Sequence, residues 1–180
     1  TILGRPEELQ DVRELATLIN ACGRTGNADV GIRLCLSDYT ALEKSSEVLD
    51  DYRKLISGCL EWVRQNKDAV LSTDFGNYIL GSNKIPDSVI GTVTSMILNS
   101  DLFPAKPTFG FAEAGDRVKV SARIPRSLGL NLRDILVTAV RETGHEAGGH
   151  PQAAGATIPK GKEHEFIKIV DSLMGEMIGS

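Results

Sequence analysis

The spacing of apolar residues along the chain changes near Asn66, from a helical period to a mixture of helical and strand periods. Between Pro6 and Cys22, Val12, Leu15, Ala16 and Ile19 recur at the intervals of one helix face. The turn-forming run from Gly23 to Asp29 closes that element. A second short helix is predicted from Gly31 to Leu36, with Ser37 or Asp38 placed to cap a long one from Tyr39 to Gln65. In the long helix Leu42, Leu49, Ile56 and Val63 repeat every seven residues, with Ser45, Tyr52 and Cys59 at companion positions. Such a stripe fits a spacer or dimer helix, but the favoured reading is a long helix packed on its own domain.

After Lys67 short runs alternate. Ala69 to Phe75 and Tyr78 to Gly81 read as strands about a Gly76-Asn77 turn. Pro86 to Leu98 reads as a helix with proline near its start. Pro107 to Glu113 and Val118 to Ile124 form a strand pair around Ala114-Gly115-Asp116. Asn131 caps a helix to Thr143 that buries Leu132, Ile135, Leu136, Ala139 and Val140. A glycine-rich stretch from Gly144 to Gly155 leads into a short strand, Ala154 to Ile158. The final helix, Lys162 to Ile178, has an apolar face of Phe166, Ile169, Val170, Leu173, Met174 and Met177. The expected fold class is α/β: a mixed sheet with flanking helices, preceded by a helical N-terminal segment with one long helix. The expected domains are 1–66 and 67–180.

Composition narrows the classes. Hydrophobic residues make up 41% and charged residues 24% of the chain, ordinary for a soluble globular protein. No apolar run approaches membrane-spanning length and no signal pattern opens the chain, so a cytoplasmic location without membrane contact is expected. The chain starts at Thr1 without Met, as a processed chain or a piece of a longer one would. Cys22, Cys35 and Cys59 form no CxxC pair, which argues against a zinc ribbon or disulfide framework; buried, inert thiols are expected.

A net charge of −4 speaks against nucleic-acid binding by bulk charge but leaves room for a local basic site. From Arg117 to Arg133 there are five basic residues, Arg117, Lys119, Arg123, Arg126 and Arg133, and no acidic one. Strand alternation puts Arg117, Lys119, Ser121 and Arg123 on one face and Val118, Val120, Ala122 and Ile124 on the other. Arginine can fork two hydrogen bonds onto a phosphate and lysine adds a point charge, although a solvated strand face would read the same way. Downstream lies Gly148-Gly149-His150-Pro151-Gln152-Ala153-Ala154-Gly155. Paired glycines let the backbone approach an anion, and His150 can donate to a phosphate oxygen, while a loop histidine is the plainer alternative.

The succession "VKVSARIP", helix, "GGHPQAAGATIP", amphipathic helix resembles the DHH-associated domain of the DHH phosphoesterases, over roughly Asp116 to Met177. Upstream, "LATLINACGRTGNADVGIRLCL" and the long helix resemble the joining segment of archaeal-type RecJ-like single-strand exonucleases. The resemblance implies a divided enzyme with 5′-to-3′ exonuclease activity. An N-terminal DHH domain would hold divalent metal, manganese in most of the family, on Asp and His ligands, and the C-terminal domain would grip the single-stranded DNA or RNA. Ser121, Arg123, Gly148, Gly149 and His150 match the family's gripping residues. Arg117, Lys119 and Arg126 join them on charge and alternation alone.

The chain departs from the whole-family pattern in having no Asp-His-His and only three histidines, His145, His150 and His164. No catalytic residue and no metal or other cofactor is therefore expected in this chain. His145, Glu146 and His150 would make a poorly formed metal set. The expected partners are single-stranded nucleic acid, an upstream DHH domain and, in a second reading, replication-fork proteins held by a scaffold without nuclease activity. A third reading follows from a similar domain in alanyl-tRNA synthetases, and the joining segment disfavours it.

Overall fold

In the computed structural model the described residues are 11–141 and 146–178. The chain divides into two compact units, Thr1–Gly58 and Cys59–Ser180, with the division inside the long helix. The first unit holds α1 (Val12–Arg24), α2 (Ala28–Cys35) and the greater part of α3 (Leu42–Gln65). Asp11 caps α1, its carboxylate accepting from the Arg13 amide at 2.8 Å. The predicted start at Pro6 lies outside the described residues. Leu15, Leu18, Cys22, Val30, Leu34, Ala41 and Val48 form this unit's core.

Asp38 caps the turn Tyr39–Ala41 that precedes α3, as the sequence predicts. On α3, Ser45, Val48, Tyr52, Ile56, Cys59 and Val63 are buried in one stripe at intervals of three and four. Burial raises the Cys22 and Cys59 thiols above their ordinary value, with the Asp29 charge adding to it at Cys22. Cys35 departs from the expectation of a buried thiol: it ends α2 on the exposed side.

The second unit is built on a six-stranded sheet of order β1-β2-β3-β4-β6-β5. Its strands are β1 (Val70–Ser72), β2 (Asn77–Leu80), β3 (Thr108–Ala114), β4 (Arg117–Arg123), β5 (Ala147–His150) and β6 (Ala153–Pro159). Among the described residues only the β2–β3 pair is parallel, joined through α4 (Ile90–Leu98); the others are antiparallel. The turn between β1 and β2 runs from Thr73 to Gly76 rather than at Gly76-Asn77, because Asn77 already pairs with Ser72. The predicted helix from Pro86 begins four residues late, at Ile90, since Pro86 to Val89 form a hydrogen-bonded turn leading in.

Each strand partitions its residues between two faces. Tyr78, Phe109, Phe111, Val118, Val120, Ala122 and Ile158 meet α5 (Leu132–Val140) and α6 (Glu163–Ile178) in the main core. Tyr78 stacks on Phe109 with ring centroids 5.1 Å apart, and Phe111 meets Phe166 edge-on at 6.2 Å. α6 is also tied by polar bonds: Asp171 accepts from the Tyr78 hydroxyl at 2.8 Å and from Thr73 Oγ1 at 2.6 Å. Burial first, then that carboxylate, pushes the Tyr78 phenol far above its ordinary value. On the other face α4 lies over β3 and β4, so closely that a Cβ on Gly110 would stand in the Thr94 hydroxyl.

Asn131 caps α5, accepting from the amides of Arg133 at 3.1 Å and Asp134 at 3.4 Å. We expect Asn131→Ala to cost about 1 kcal/mol of stability, read by urea unfolding; an unchanged midpoint would show the cap to be dispensable. Among the described residues no helix is long and apolar enough to cross a membrane.

Candidate nucleic-acid interface

The face shared with α4 carries the polar residues of β4, as the alternation predicts, but α4 covers only part of it. In the register of the sheet Ser121 lies beside Gly155, which lies beside Gly148. Arg123 lies beside Ala153 and then His150, and Lys119 beside Thr157. Directly paired residues of antiparallel strands project to the same side, so Lys119, Ser121, Arg123, Gly148 and His150 share one face. The strand β5 that brings Gly148 and His150 there was not predicted; the glycine-rich stretch conceals a hairpin whose turn is Pro151-Gln152.

An open groove of about 550 Å³ lies over the uncovered part of this face. Arg117 and Lys119 line it with Gly148, Gly155 and Thr157, and two carboxylates, Asp87 and Glu146, also border it. Small residues make the floor: a Cβ on Gly148 would meet nothing within 4 Å, and one on Gly155 only the Val120 carbonyl, at 3.1 Å. Among the described residues Arg117 and Lys119 have no ion pair and no side-chain hydrogen bond, so their donors are available to an anion.

The other predicted residues are placed differently. Arg123 does not reach across Ala153. Its Nε donates to Ser95 Oγ of α4 at 2.8 Å, and its Nη1 to Ser121 Oγ at 3.1 Å and the Ala122 carbonyl at 2.8 Å. Ser121, 7% exposed, sits beneath this guanidinium. His150 is exposed on the edge strand, two strand spacings from Arg123, or about 10 Å between backbones. A phosphate bracketed by Arg123 and His150 would therefore have to span Ala153. Arg126 is exposed in the loop after β4, and Arg133 is exposed on α5, which packs on the opposite face of the sheet.

Gly149 has a structural duty. Its φ is +129°, and a Cβ there would stand 2.6 Å from the Ala153 carbonyl oxygen and 2.7 Å from the Ala154 Cα. The residue keeps β5 against β6 and offers the groove no surface of its own beyond backbone. Sequence reasoning missed Asp87, Gly91 and Ser95, and weighed Glu146 only as a metal ligand. Thr157 was readable from strand alternation; the rest lie on elements whose approach to β4 is set by tertiary packing.

Among the described residues no three His, Cys, Asp or Glu side chains converge as a metal site. Of the set weighed above, His145 lies outside the described residues. Residues 75–176 match the DHHA1 domain family. The chain belongs to that family. The DHHA1 match spans β2 to α6 and so includes every residue of the groove. An uncharacterized protein of Methanocaldococcus jannaschii, MJ0831, is 33% identical over 174 residues, covering 95% of this chain and 37% of its own length. The chain thus spans little more than a third of that curated relative.

Among solved structures, RecJ from Thermus thermophilus in complex with Mn²⁺ superposes with a TM-score of 0.70 at 20% identity, over 91% of this chain and 24% of that one. The exonuclease RecJ bound to manganese gives 0.65 at 22% identity, over 90% of this chain and 40% of that one. At such identities the likeness is one of fold. It extends beyond the DHHA1 domain into the helical segment.

Proposed function

We propose that this chain grips single-stranded nucleic acid for a RecJ-like DHH phosphoesterase, a 5′-to-3′ exonuclease of the cytoplasm. The observation that carries the proposal is the groove: two cations without partners among the described residues, above a floor of glycines, inside a DHHA1 domain. Lys119 and Arg117 would take phosphate oxygens through charge-assisted hydrogen bonds. Gly148 and Gly155 would let the sugar–phosphate chain lie against the sheet, and His150 would donate from the rim. The reading is supported by the paucity of aromatic residues, 5% of the chain, which favours contacts to phosphate and sugar over base stacking.

Hydrolysis in this proposal belongs to an upstream DHH domain, where a divalent ion, manganese by the family pattern, would activate water. In this reading the role of this chain is to hold and orient the strand. We expect this chain by itself to bind a labelled oligothymidylate and not to hydrolyse it, with or without manganese. Turnover that disappears when a residue of this chain is changed would overturn the assignment of the chemistry to another domain. Failure to bind any oligonucleotide, with retention of a replication protein instead, would favour the scaffold reading.

A further inference from the structure

We propose that Ser95 and Gly91 of α4 are positioning residues that set the direction of the Arg123 guanidinium toward the nucleic-acid face; this rests on the phosphate-gripping reading above. Arginine brings a planar fork on a long stem with much rotamer freedom, and it recognises an oxyanion well only when the fork is held. Bonds from both the strand and the helix help to hold it here. Ser121 Oγ and the Ala122 carbonyl fix Nη1 from the strand, and Ser95 Oγ fixes Nε from the helix. The Ser95 hydroxyl gives its own hydrogen to the Gly91 carbonyl at 2.9 Å. A hydroxyl has one hydrogen, so Ser95 meets Arg123 purely as an acceptor, and its lone pair is aimed.

Gly91 supplies the space. A Cβ there would stand 3.0 Å from Arg123 Nη2 and 3.0 Å from Ser121 Oγ. Glycine inside a nine-residue helix lowers its helical propensity. The close approach of guanidinium and hydroxyl accounts for its presence, because a side chain there would make one of them give way by a few tenths of an ångström. α4 thereby acts on the binding face without touching a ligand. The same bonds also dock α4 on β4, and a purely structural strut differs from a positioning device in what it changes. A strut alters melting temperature alone. A positioning device alters affinity and its salt dependence, through Arg123 and through no other residue.

The test is binding of a fluorescent twelve-residue oligothymidylate by the whole chain across a salt series, with melting temperature measured alongside. Ser95→Ala should weaken binding about fivefold, the effect of one hydrogen bond, and Ser95→Thr, which keeps the hydroxyl, should restore it. In an Arg123→Ala background Ser95→Ala should add no further loss. Gly91→Ala should also weaken binding, by crowding the guanidinium; if it fails to fold, the serine pair decides. Normal binding by Ser95→Ala beside a weakened Arg123→Ala would overturn the positioning role and leave the gripping reading intact. An equal Ser95→Ala loss with and without Arg123 would also overturn it. Parental affinity in both Arg123→Ala and Lys119→Ala would instead remove the gripping reading, and this inference with it.

Discussion

Gly149→Val is expected to lower the stability of the DHHA1 unit by about 3 to 5 kcal/mol, the sum of a left-handed backbone forced on a β-branched residue and a steric overlap. The φ of +129° is one that L side chains rarely adopt, and the new Cβ would collide with backbone of β6, which cannot rotate away as a side-chain end would. The pairing of Gly149 with Ala154 would open, and with it the hairpin that presents Gly148 and His150. Gly148→Val is the matched control. One residue away, its Cβ enters open space over the groove, so stability should change little while oligonucleotide binding falls. Thermal and urea unfolding of the two variants decide the matter. Equal stability would mean that Gly149 is not needed for the strand pairing. The structure thus sets the two glycines of the motif apart, one packed against backbone and one over open space, where the sequence treats them alike.

Much of the fold could be read from periodicity because most elements bury one face. The stripe of α5 follows from a single covered side, and the predicted apolar positions of both α5 and β4 are reproduced residue by residue. Reading fails where a covered face has no apolar signature. β5 reads Ala-Gly-Gly-His and is an edge strand, held by backbone pairing to β6 rather than by side chains, so no pattern announces it. On α6 the apolar stripe was recognised, yet Ile167 is buried and Met177 is 47% exposed, so the buried face differs from the predicted one at these two positions. Cys35 sits in an apolar run whose neighbours Ile32 and Leu36 are themselves exposed at 59% and 77%, so local hydrophobicity gave the wrong expectation there.

The candidate site was readable to the extent that one strand carries it. Alternation alone gathers Arg117, Lys119, Ser121 and Arg123, and register then adds Gly148 and His150. What alternation cannot supply is the neighbour across the sheet. α4 descends on the Ser121–Arg123 end and leaves the Arg117–Lys119 end open, and this divides the cationic row into a held part and an available part. That two carboxylates border the groove is equally unreadable from alternation, Asp87 arriving from the turn before α4 and Glu146 from the approach to β5.

That division leads to the largest effect expected on binding. Replacing Lys119 and Arg117 together by Ala should cost about 2 to 3 kcal/mol of oligonucleotide affinity, roughly 30- to 140-fold, as two charge-assisted hydrogen bonds are lost. Neither side chain has a partner among the described residues whose desolvation would complicate the result, and Arg117 is exposed and Lys119 half-buried. Melting temperature should therefore hold. Each phosphate neutralised on a single strand contributes about 0.7 to the slope of log affinity against log salt, so the double variant should bind with a slope shallower by about 1.4. The carboxylates give the same experiment a signed counterpart: Asp87→Asn or Glu146→Gln removes a negative charge from the groove wall and should tighten binding, most clearly at low salt where screening is weak. A groove that merely exposes a solvated strand would show neither the slope change nor the opposed signs. Loss of affinity at constant slope would mean that Lys119 and Arg117 shape the surface without meeting phosphate.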